Sequence, residues 1–288
     1  MLNRREWILA TATAACARAG APPRVWGVQL ATLRGAVRRE PDRLLKAVAD
    51  IGFREVEGAA RPEALLMLPR IKEHGLTLRS CFVETPLVTA DWERYPNLIP
   101  VTLDEAISSL KEAGVEYFVV RYIDPGARGD GEDFYRRTAD RMNRAGELCR
   151  KAGMKLAYHN HAFEFAGRPG LRPIEIFRER LDPRLVLLEL DVFWASVAGQ
   201  DPLEIMKQWK GRLGPLHLGD KAKGMKPQTD EAILPGVAVE LGKGTLDLPA
   251  ILKAATNAGI RSCFVEQENI EGDALESLRQ SFAYLRTL

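Results

Sequence analysis

The chain of 288 residues alternates short apolar runs with longer amphipathic segments, and it does so eight times. The runs are rich in β-branched and aromatic residues, and they begin near Val25, Glu55, Leu78, Tyr117, Lys155, Val186, Leu213 and Ser262. Their starts are on average about 34 residues apart, which is enough for a strand, a helix and two loops. Each run is typical of a buried strand, and the segments between the runs predict helices.

The predicted helices end at glycine, and several begin near proline, as helices in globular proteins do. Three of them cover residues 42–51, 103–113 and 249–258, and they stop at Gly52, Gly114 and Gly259. Eight strand–helix units in one chain predict a (β/α)8 TIM barrel, a single domain over residues 25–288. The alternative is an open doubly wound sheet, which would need a glycine-rich phosphate turn after the first strand, and no GxGxxG follows Val25. Residues 222–261 exceed what one helix needs, so we expect an extra loop over one face of the barrel.

Net charge, apolar runs and cysteine spacing exclude some classes of partner and of site. Lys and Arg number 41 and Asp and Glu number 39, so the net charge is +2 and gives no footprint for nucleic acid. No apolar run reaches the roughly 18 residues of a membrane span. The four cysteines are scattered and fit neither a CxxC metal site nor a disulfide framework. A homo-oligomer is compatible with this composition.

The first 24 residues differ from the rest of the chain. Arg4 and Arg5 precede a short apolar stretch with Trp7 and Leu9, and small residues with an Ala-x-Ala site at 15–17 follow. This pattern resembles a twin-arginine export signal. We therefore expect residues 1–24 to direct export, to the periplasm or elsewhere outside the cytoplasm. The alternative is a frayed N-terminus on a cytoplasmic protein.

Polar and charged residues end most of the apolar runs. In a TIM barrel the C-terminal ends of the strands form the active-site face. The residues predicted there are Gln29, Glu57, Glu84, Arg121, His159, His161, Glu189, Asp191, His217, Asp220, Glu266 and Glu268, with Glu164 just beyond the fifth run. Three of the four histidines belong to this set, and the fourth, His74, lies on a predicted surface helix. One polar residue at a strand end is more often structural than catalytic, but the whole set on one rim predicts an active site.

The residue types in this set indicate metal chemistry. Imidazole and carboxylate ligands from different strands suit one borderline divalent ion such as Mn²⁺, Co²⁺ or Zn²⁺. Such an ion can hold two neighbouring oxygens of a hydroxy-ketone and lower the cost of removing the adjacent C–H proton. A nearby carboxylate or imidazole then acts as the base.

Seven motifs, in order along the chain, resemble those of the sugar phosphate isomerase/epimerase family, the xylose isomerase-like TIM barrels. They are GVQLATLR (27–34), GFREVEG (52–58), YHNHAFEF (158–165), DVFWASVAGQDP (191–202), HLGDKAKG (217–224), GKGTLD (242–247) and FVEQE (264–268). The resemblance implies a small carbohydrate substrate and one divalent metal. The endonuclease IV branch of this family needs a three-metal cluster with many more histidines, so four histidines exclude it.

The resemblance also implies which residues bind the metal. Strands six, seven and eight supply Asp191, His217 and Glu266. For the fourth ligand, after strand five, we expect Glu164, and Glu266 together with Glu164 or a histidine would move the proton. His159 and His161 would then bind the substrate or transfer protons. In the alternative assignment, His159 is the ligand instead of Glu164.

The remaining predicted contacts are with the substrate. We expect them from the strand-end residues Gln29, Glu57 and Arg121. Relatives commonly carry a lysine where this chain has Gly219. Lys221, two residues later, would replace that charge.

Three functions fit these residues. The first is a metal-dependent isomerase or epimerase of a small sugar that works through an enediolate. The second is a lyase or dehydratase that removes the same proton from a keto-sugar or 3-keto-glycoside and then eliminates a group from the β-carbon. The third is a non-catalytic sugar-binding barrel, which would predict a broken set of metal ligands.

Overall fold

Eight parallel strands close into one barrel in the computed structural model, which describes residues 25–33, 35–129, 131–233, 235–269 and 272–288. The strands are Val25–Gln29, Glu55–Gly58, Thr77–Val83, Tyr117–Val120, Lys155–His159, Val186–Asp191, Leu213–Leu218 and Ser262–Val265. Each strand pairs with its neighbours in the chain, and the first pairs with the eighth. The predicted (β/α)8 TIM barrel is therefore confirmed. The predicted export signal at 1–24 lies outside the described residues.

The helices surround the barrel, and many of them begin at proline or end before glycine as predicted. They are Ala36–Arg39, Pro41–Ile51, Arg61–Glu73, Pro86–Thr89, Leu103–Ala113, Glu132–Lys151, Pro173–Arg180, Val192–Val197, Pro202–Gln208, Leu248–Asn257 and Ala274–Leu285. Helix Leu103–Ala113 shows both end signals, since Thr102 and Glu105 form a capping box and Gly114 adopts a left-handed conformation. Among the described helices, none combines the length and the apolar character that crossing a bilayer requires.

The barrel interior changes character along its axis. Phe82, Val119 and Ala157 form a small apolar cluster inside the barrel, and the larger apolar core lies between the strands and the helices. The strand residues near the C-terminal rim are polar, yet they are fully buried: Gln29, Glu57, Ser80, His159, Glu189 and His217. Buried polar groups are costly unless they are paired or bind an ion. This rim is therefore the candidate functional region of the fold.

Two irregularities adjust the strands at this rim. Val56 pairs with Leu78 but Glu57 pairs with Ser80, so strand three carries one extra residue there. A second shift lies between strands six and seven, on either side of Glu189. Bulges of this kind redirect side chains near active sites. The first one brings the Ser80 hydroxyl against Glu57, to which it donates a hydrogen bond.

The loop predicted within residues 222–261 leaves and rejoins the barrel at one point. Asp220–Lys221 pairs antiparallel with Ala238–Val239 in a two-stranded ribbon. The Asp220 carboxylate accepts hydrogen bonds from the backbone N–H groups of Lys221, Gly242, Gly244 and Leu246, at 2.9–3.1 Å. A Cβ atom at Gly244 would lie 2.1 Å from Asp220 Oδ1, which explains the glycine in this loop. Asp220, predicted at the active-site rim, therefore holds the loop in place.

Candidate active site

Four side chains from consecutive strands converge at the C-terminal rim. His159, Asp191, His217 and Glu266 each offer one ligand atom, and these atoms all lie within 4.8 Å of one another. They come from strands five, six and seven and from the residue after strand eight. The three positions implied by the family resemblance thus share one volume, and the fourth member is His159.

His217 lies between two carboxylates. Its Nδ1 is 2.7 Å from Glu266 Oε2, and its Nε2 is 2.7 Å from Glu57 Oε1. Burial by itself would lower the pKa of His217, but the charges of Glu189, Glu57 and Glu266 raise that pKa well above its ordinary value. Glu57 therefore engages Nε2 and Glu266 engages Nδ1, and a metal bound at Nδ1 would take the place of the proton there.

Glu57 fixes the orientation of the His217 ring through its Nε2 atom. Glu57 Oε1 also accepts a hydrogen bond of 2.7 Å from Gln29 Nε2, and the Ser80 hydroxyl donates to its other oxygen. Both Gln29 and Glu57 are fully buried, and neither lines the cavity at the rim. The expectation that they bind substrate is therefore corrected, since the structure shows them hydrogen-bonded to each other and, through Glu57, to His217.

His159 is the least satisfied polar side chain of this group. Neither of its ring nitrogens makes a hydrogen bond to a described residue, and its Nδ1 lies 3.5 Å from Glu189 Oε2. Burial, with the charge of His217 next in importance, holds the pKa of His159 well below its ordinary value, so the imidazole is neutral. A neutral imidazole is the form that binds a metal.

The donor set fits a divalent ion. Asp191 uses Oδ1 to accept the Trp194 N–H at 2.7 Å, where it caps helix Val192–Val197, and Oδ2 lies 3.8 Å from His217 Nδ1. Burial raises the pKa of Asp191 well above its ordinary value, although His217 opposes this. Two imidazoles and two carboxylates suit a borderline metal, and an ion would satisfy the unpartnered His159 nitrogen. A second triad, Glu57, Glu189 and His217, lies against the first group and is wholly buried.

Glu164 lies elsewhere, which corrects its predicted place on the metal. Its Oε1 accepts a hydrogen bond of 2.6 Å from the Tyr158 hydroxyl, and its Oε2 accepts one of 2.9 Å from the backbone N–H of His161. The 3₁₀ turn Phe163–Phe165 directs the side chain toward Tyr158, which faces the outer core. The geometry therefore favours the alternative assignment, in which His159 takes the position after strand five.

The buried Glu164 carboxyl predicts a pH-dependent stability. Burial raises its pKa to about 8, so folding favours the protonated form. Its stabilising contribution is complete below the ordinary pKa of a glutamate and is lost as pH rises through about 8. Between pH 5 and 8 this group should lower the free energy of unfolding of the unmodified protein by about 4 kcal/mol, at about 1.4 kcal/mol per pKa unit. We expect this fall to be absent in Glu164→Gln.

Urea unfolding of both proteins at several pH values measures this difference. Glu112→Gln, on an exposed helix surface, is the matched control and should follow the unmodified protein. Parallel curves for Glu164→Gln and the unmodified protein would contradict the prediction.

His161 forms a dyad with a carboxylate at the edge of the site. Its ring stacks between Tyr122 at 3.7 Å and Trp194 at 4.5 Å between centroids, and its Nδ1 lies 2.9 Å from Glu231 Oε1. Burial lowers the pKa of His161, and Glu231 opposes that shift. Burial would raise the pKa of Glu231, but His161 and Arg128 together lower it. The dyad leaves Nε2 of His161 as the nitrogen that can exchange a proton with a ligand.

A cavity of about 260 Å³ opens above the four-residue group. It is lined by Ala31, Ala59, Phe82, Arg121, Tyr122, His161, Trp194, Glu231, Ile233, Glu266, Glu268 and Asn269. Arg121, predicted to bind substrate, is among them and donates to both oxygens of Asp124 at 2.8 Å. The indole Nε1 of Trp194 is buried and has no acceptor within the described part of the chain.

The sequence did not point to Tyr122, Trp194 or Glu231 as site residues. Trp194 stands three residues after Asp191 in the DVFWA motif, so its position was the available signal. Tyr122 follows the predicted Arg121. Glu231 belongs to the extra loop, and no local pattern indicates where its side chain docks.

Comparison with known proteins places this geometry in a family. The model of the xylose isomerase-like TIM barrel matches residues 45–288. The chain belongs to this family. Its barrel also superposes with a TM-score of 0.71 on a sugar phosphate isomerase/epimerase from Parabacteroides distasonis, which is 25% identical and covers 93% of this chain and 95% of its own.

Among curated proteins, this xylose isomerase-like chain is similar to inosose dehydratases. The one from Geobacillus thermodenitrificans is 27% identical over 157 residues, and the match spans 51% of this chain and about half of the relative, 52%. The one from Geobacillus kaustophilus is 25% identical over 232 residues, which are 73% of this chain and 74% of the relative.

One departure from the xylose isomerase-like pattern has a steric explanation. A Cβ atom at Gly219 would lie 2.7 Å from the Cβ of Phe193, so the lysine expected of relatives has no room here. Lys221 does not replace it, because its Nζ donates to the Ser196 carbonyl at 2.6 Å and its side chain lines a different cavity. The expectation that Lys221 binds substrate is corrected accordingly.

Proposed function

We propose that the protein is an enzyme that removes a proton from the carbon next to the carbonyl of a sugar or keto-sugar, and that it isomerises or epimerises this substrate. The observation that carries the proposal is the group of His159, Asp191, His217 and Glu266 at the base of a small cavity. A His–carboxylate dyad stands at the edge of the same cavity. The similarity to a sugar phosphate isomerase/epimerase and to inosose dehydratases supports this class of chemistry.

The proposed cofactor is one divalent ion, Mn²⁺, Co²⁺ or Zn²⁺, held by those four residues. When bound, such an ion polarises a substrate carbonyl and so lowers the cost of removing the neighbouring proton. Glu57 holds the Nε2–H of His217, which keeps Nδ1 directed toward the group.

The side chains around the cavity divide the proton transfers between them. Glu266 lines the cavity and has a carboxylate to accept the C–H proton. His161, stacked and held by Glu231, returns a proton through Nε2 to the enediolate at the other carbon or face. The unpartnered Trp194 Nε1 donates to a substrate oxygen.

The second candidate function is β-elimination. The relatives named inosose dehydratases favour it, and so does the dyad, which can protonate a leaving group. Glu266 takes the proton beside the carbonyl, the C–H electron pair becomes the C=C bond, and the bond from the β-carbon to the leaving oxygen breaks. His161 supplies the proton to that oxygen.

The charge of the cavity favours an uncharged substrate. Glu231, Glu266 and Glu268 line it, and its single lining arginine, Arg121, is already paired with Asp124. These three carboxylates oppose the binding of a phosphate dianion, and no unpaired arginine among the lining residues is present to hold one. The expected export signal at 1–24 agrees with this, because carbohydrates outside the cytoplasm are more often glycosides than sugar phosphates. We propose an exported enzyme of unphosphorylated sugars.

Solvent isotope exchange tests the shared first step. The protein loaded with Mn²⁺, Co²⁺ or Zn²⁺ is incubated in D₂O with ketohexoses and with methyl 3-keto-β-D-glucopyranoside, and products are followed by NMR. We expect deuterium at the carbon beside the carbonyl, and the same protein after chelation is the control. An epimer or isomer identifies the leading function, and an unsaturated product identifies the lyase. Binding of these sugars without any exchange would instead support a non-catalytic barrel.

A further inference from the structure

A second, larger cavity adjoins the site. Its volume is about 660 Å³, and it lies between helix Arg61–Glu73 and the loops that follow strands two, three and four. Ala59 and Arg121 line both this cavity and the smaller one above the metal-binding group. The two cavities therefore meet at Ala59 and Arg121, and a ligand that extends past these residues would enter the larger space.

The walls of the larger cavity are mainly apolar. They include Pro41, Pro62, Leu66, Met67, Val83 and Leu98. Leu66 is 78% exposed on its helix, so its apolar surface is available at the mouth of the cavity. One exposed leucine is ordinary, but here it continues an apolar lining.

All four arginines that line this cavity are paired with carboxylates. The Arg61 guanidinium makes three contacts of 2.6–3.1 Å with Glu84, and both side chains are buried. The other three pairs are Arg121 with Asp124, Arg38 with Glu63 and Arg70 with Asp42. An anionic ligand would find no unpaired arginine among these lining residues, so an uncharged occupant is favoured.

Two hydroxyl groups stand in the wall of the same cavity. The Tyr95 hydroxyl interacts with Thr85 and with the carboxylate of Asp124, and Thr85 is only 1% exposed. A ligand hydroxyl that reaches this wall can join them, because a hydroxyl both donates and accepts hydrogen bonds.

We propose that this cavity binds the aglycone of a glycoside whose sugar ring occupies the site. The inference rests on the proposed function. The site cavity of about 260 Å³ suits one small ring, whereas 660 Å³ lies within the range of pockets for much larger ligands. The favoured aglycone is uncharged and aromatic and carries a hydroxyl that bonds to Thr85 or Tyr95. The substrate is then a keto-glycoside rather than a free sugar.

Calorimetric titration with three unreactive glucosides tests this. The probes are methyl, phenyl and 4-hydroxyphenyl β-D-glucopyranoside, added to the metal-loaded protein. Burying a phenyl ring should make both aryl glucosides bind at least about tenfold more tightly than the methyl glucoside. The 4-hydroxyphenyl probe should bind most tightly, because its hydroxyl reaches those of Thr85 and Tyr95.

Two variants locate the effect, with a matched control. Leu66→Ser should weaken both aryl glucosides about threefold or more and leave the methyl glucoside unchanged. Thr85→Val should remove the advantage of the 4-hydroxyphenyl over the phenyl probe. Ile99→Ser is the control, because Ile99 is 83% exposed and does not line the cavity.

The result separates this inference from the proposed function. Equal or undetectable binding of the aryl glucosides overturns the aglycone site, even if isotope exchange with free ketoses succeeds. Aryl preference that is unaffected by both Leu66→Ser and Thr85→Val also overturns it. Aryl preference that responds to both variants, without exchange on any sugar, supports the cavity assignment and rejects the proposed reaction.

Discussion

Replacing His217 with glutamine is expected to lower kcat/KM at least about a thousandfold and to release the metal. His217 is the one side chain that belongs to both buried groups of potential ligands, with Glu266 on Nδ1 and Glu57 on Nε2. Glutamine keeps the polarity but offers no imidazole nitrogen to bind a metal, so the ligand set is broken. A thousandfold loss corresponds to about 4 kcal/mol of transition-state stabilisation.

Steady-state rates and metal content by mass spectrometry measure both effects. Glu57→Gln tests the support of His217 alone, and we expect a smaller loss of about 10- to 100-fold. His74→Gln, at the end of helix Arg61–Glu73, is the matched histidine control and should behave like the unmodified protein. A His217→Gln protein that retains both its metal and its rate would show that the converging group is purely structural.

Replacing His161 with asparagine is expected to leave the metal bound and to lower kcat by about 10²- to 10⁴-fold, the usual contribution of a general acid–base group. The ring contacts Tyr122, Trp194 and Glu231 and is not a member of the converging four. Glu266 can still take the C–H proton, so deuterium exchange should persist in this variant while product formation falls.

Metal content in two further variants completes this test. His159→Asn should lose the ion, whereas Glu164→Gln should keep it, because both Glu164 oxygens are occupied by Tyr158 and the His161 N–H. The opposite pattern would restore Glu164 as the ligand. Loss of metal in His161→Asn would remove His161 from its proposed acid–base role.

The fold could be predicted from the sequence because each strand of a parallel barrel is buried on both faces. Such strands stand out as apolar runs. Seven of the eight predicted runs begin at the residue where the strand begins, and the third strand begins one residue earlier, at Thr77. Gly114 ends its helix as predicted, since its φ of 85° suits a glycine.

The site was only partly predictable, for reasons of geometry beyond the strands. Asp191 and His217 end regular strands and Glu266 directly follows one, so their convergence follows from topology. Glu164 was favoured for its charge, but the turn at Phe163–Phe165 determines where its carboxylate goes. Glu231 reaches the site because its loop docks against Arg128, a contact 103 residues away in sequence.

The ribbon held by Asp220 makes the loop over the site a separable part of the protein. Residues between Lys221 and Ala238 start and finish at adjacent positions, and three backbone hydrogen bonds to the Asp220 carboxylate fix the chain that follows. Insertions or exchanges in this segment would replace Glu231 and Ile233, and with them one wall of the cavity. The residues that converge on the barrel strands would stay in place. Substrate range in such an architecture can diverge by loop replacement while the chemistry of the barrel is inherited unchanged.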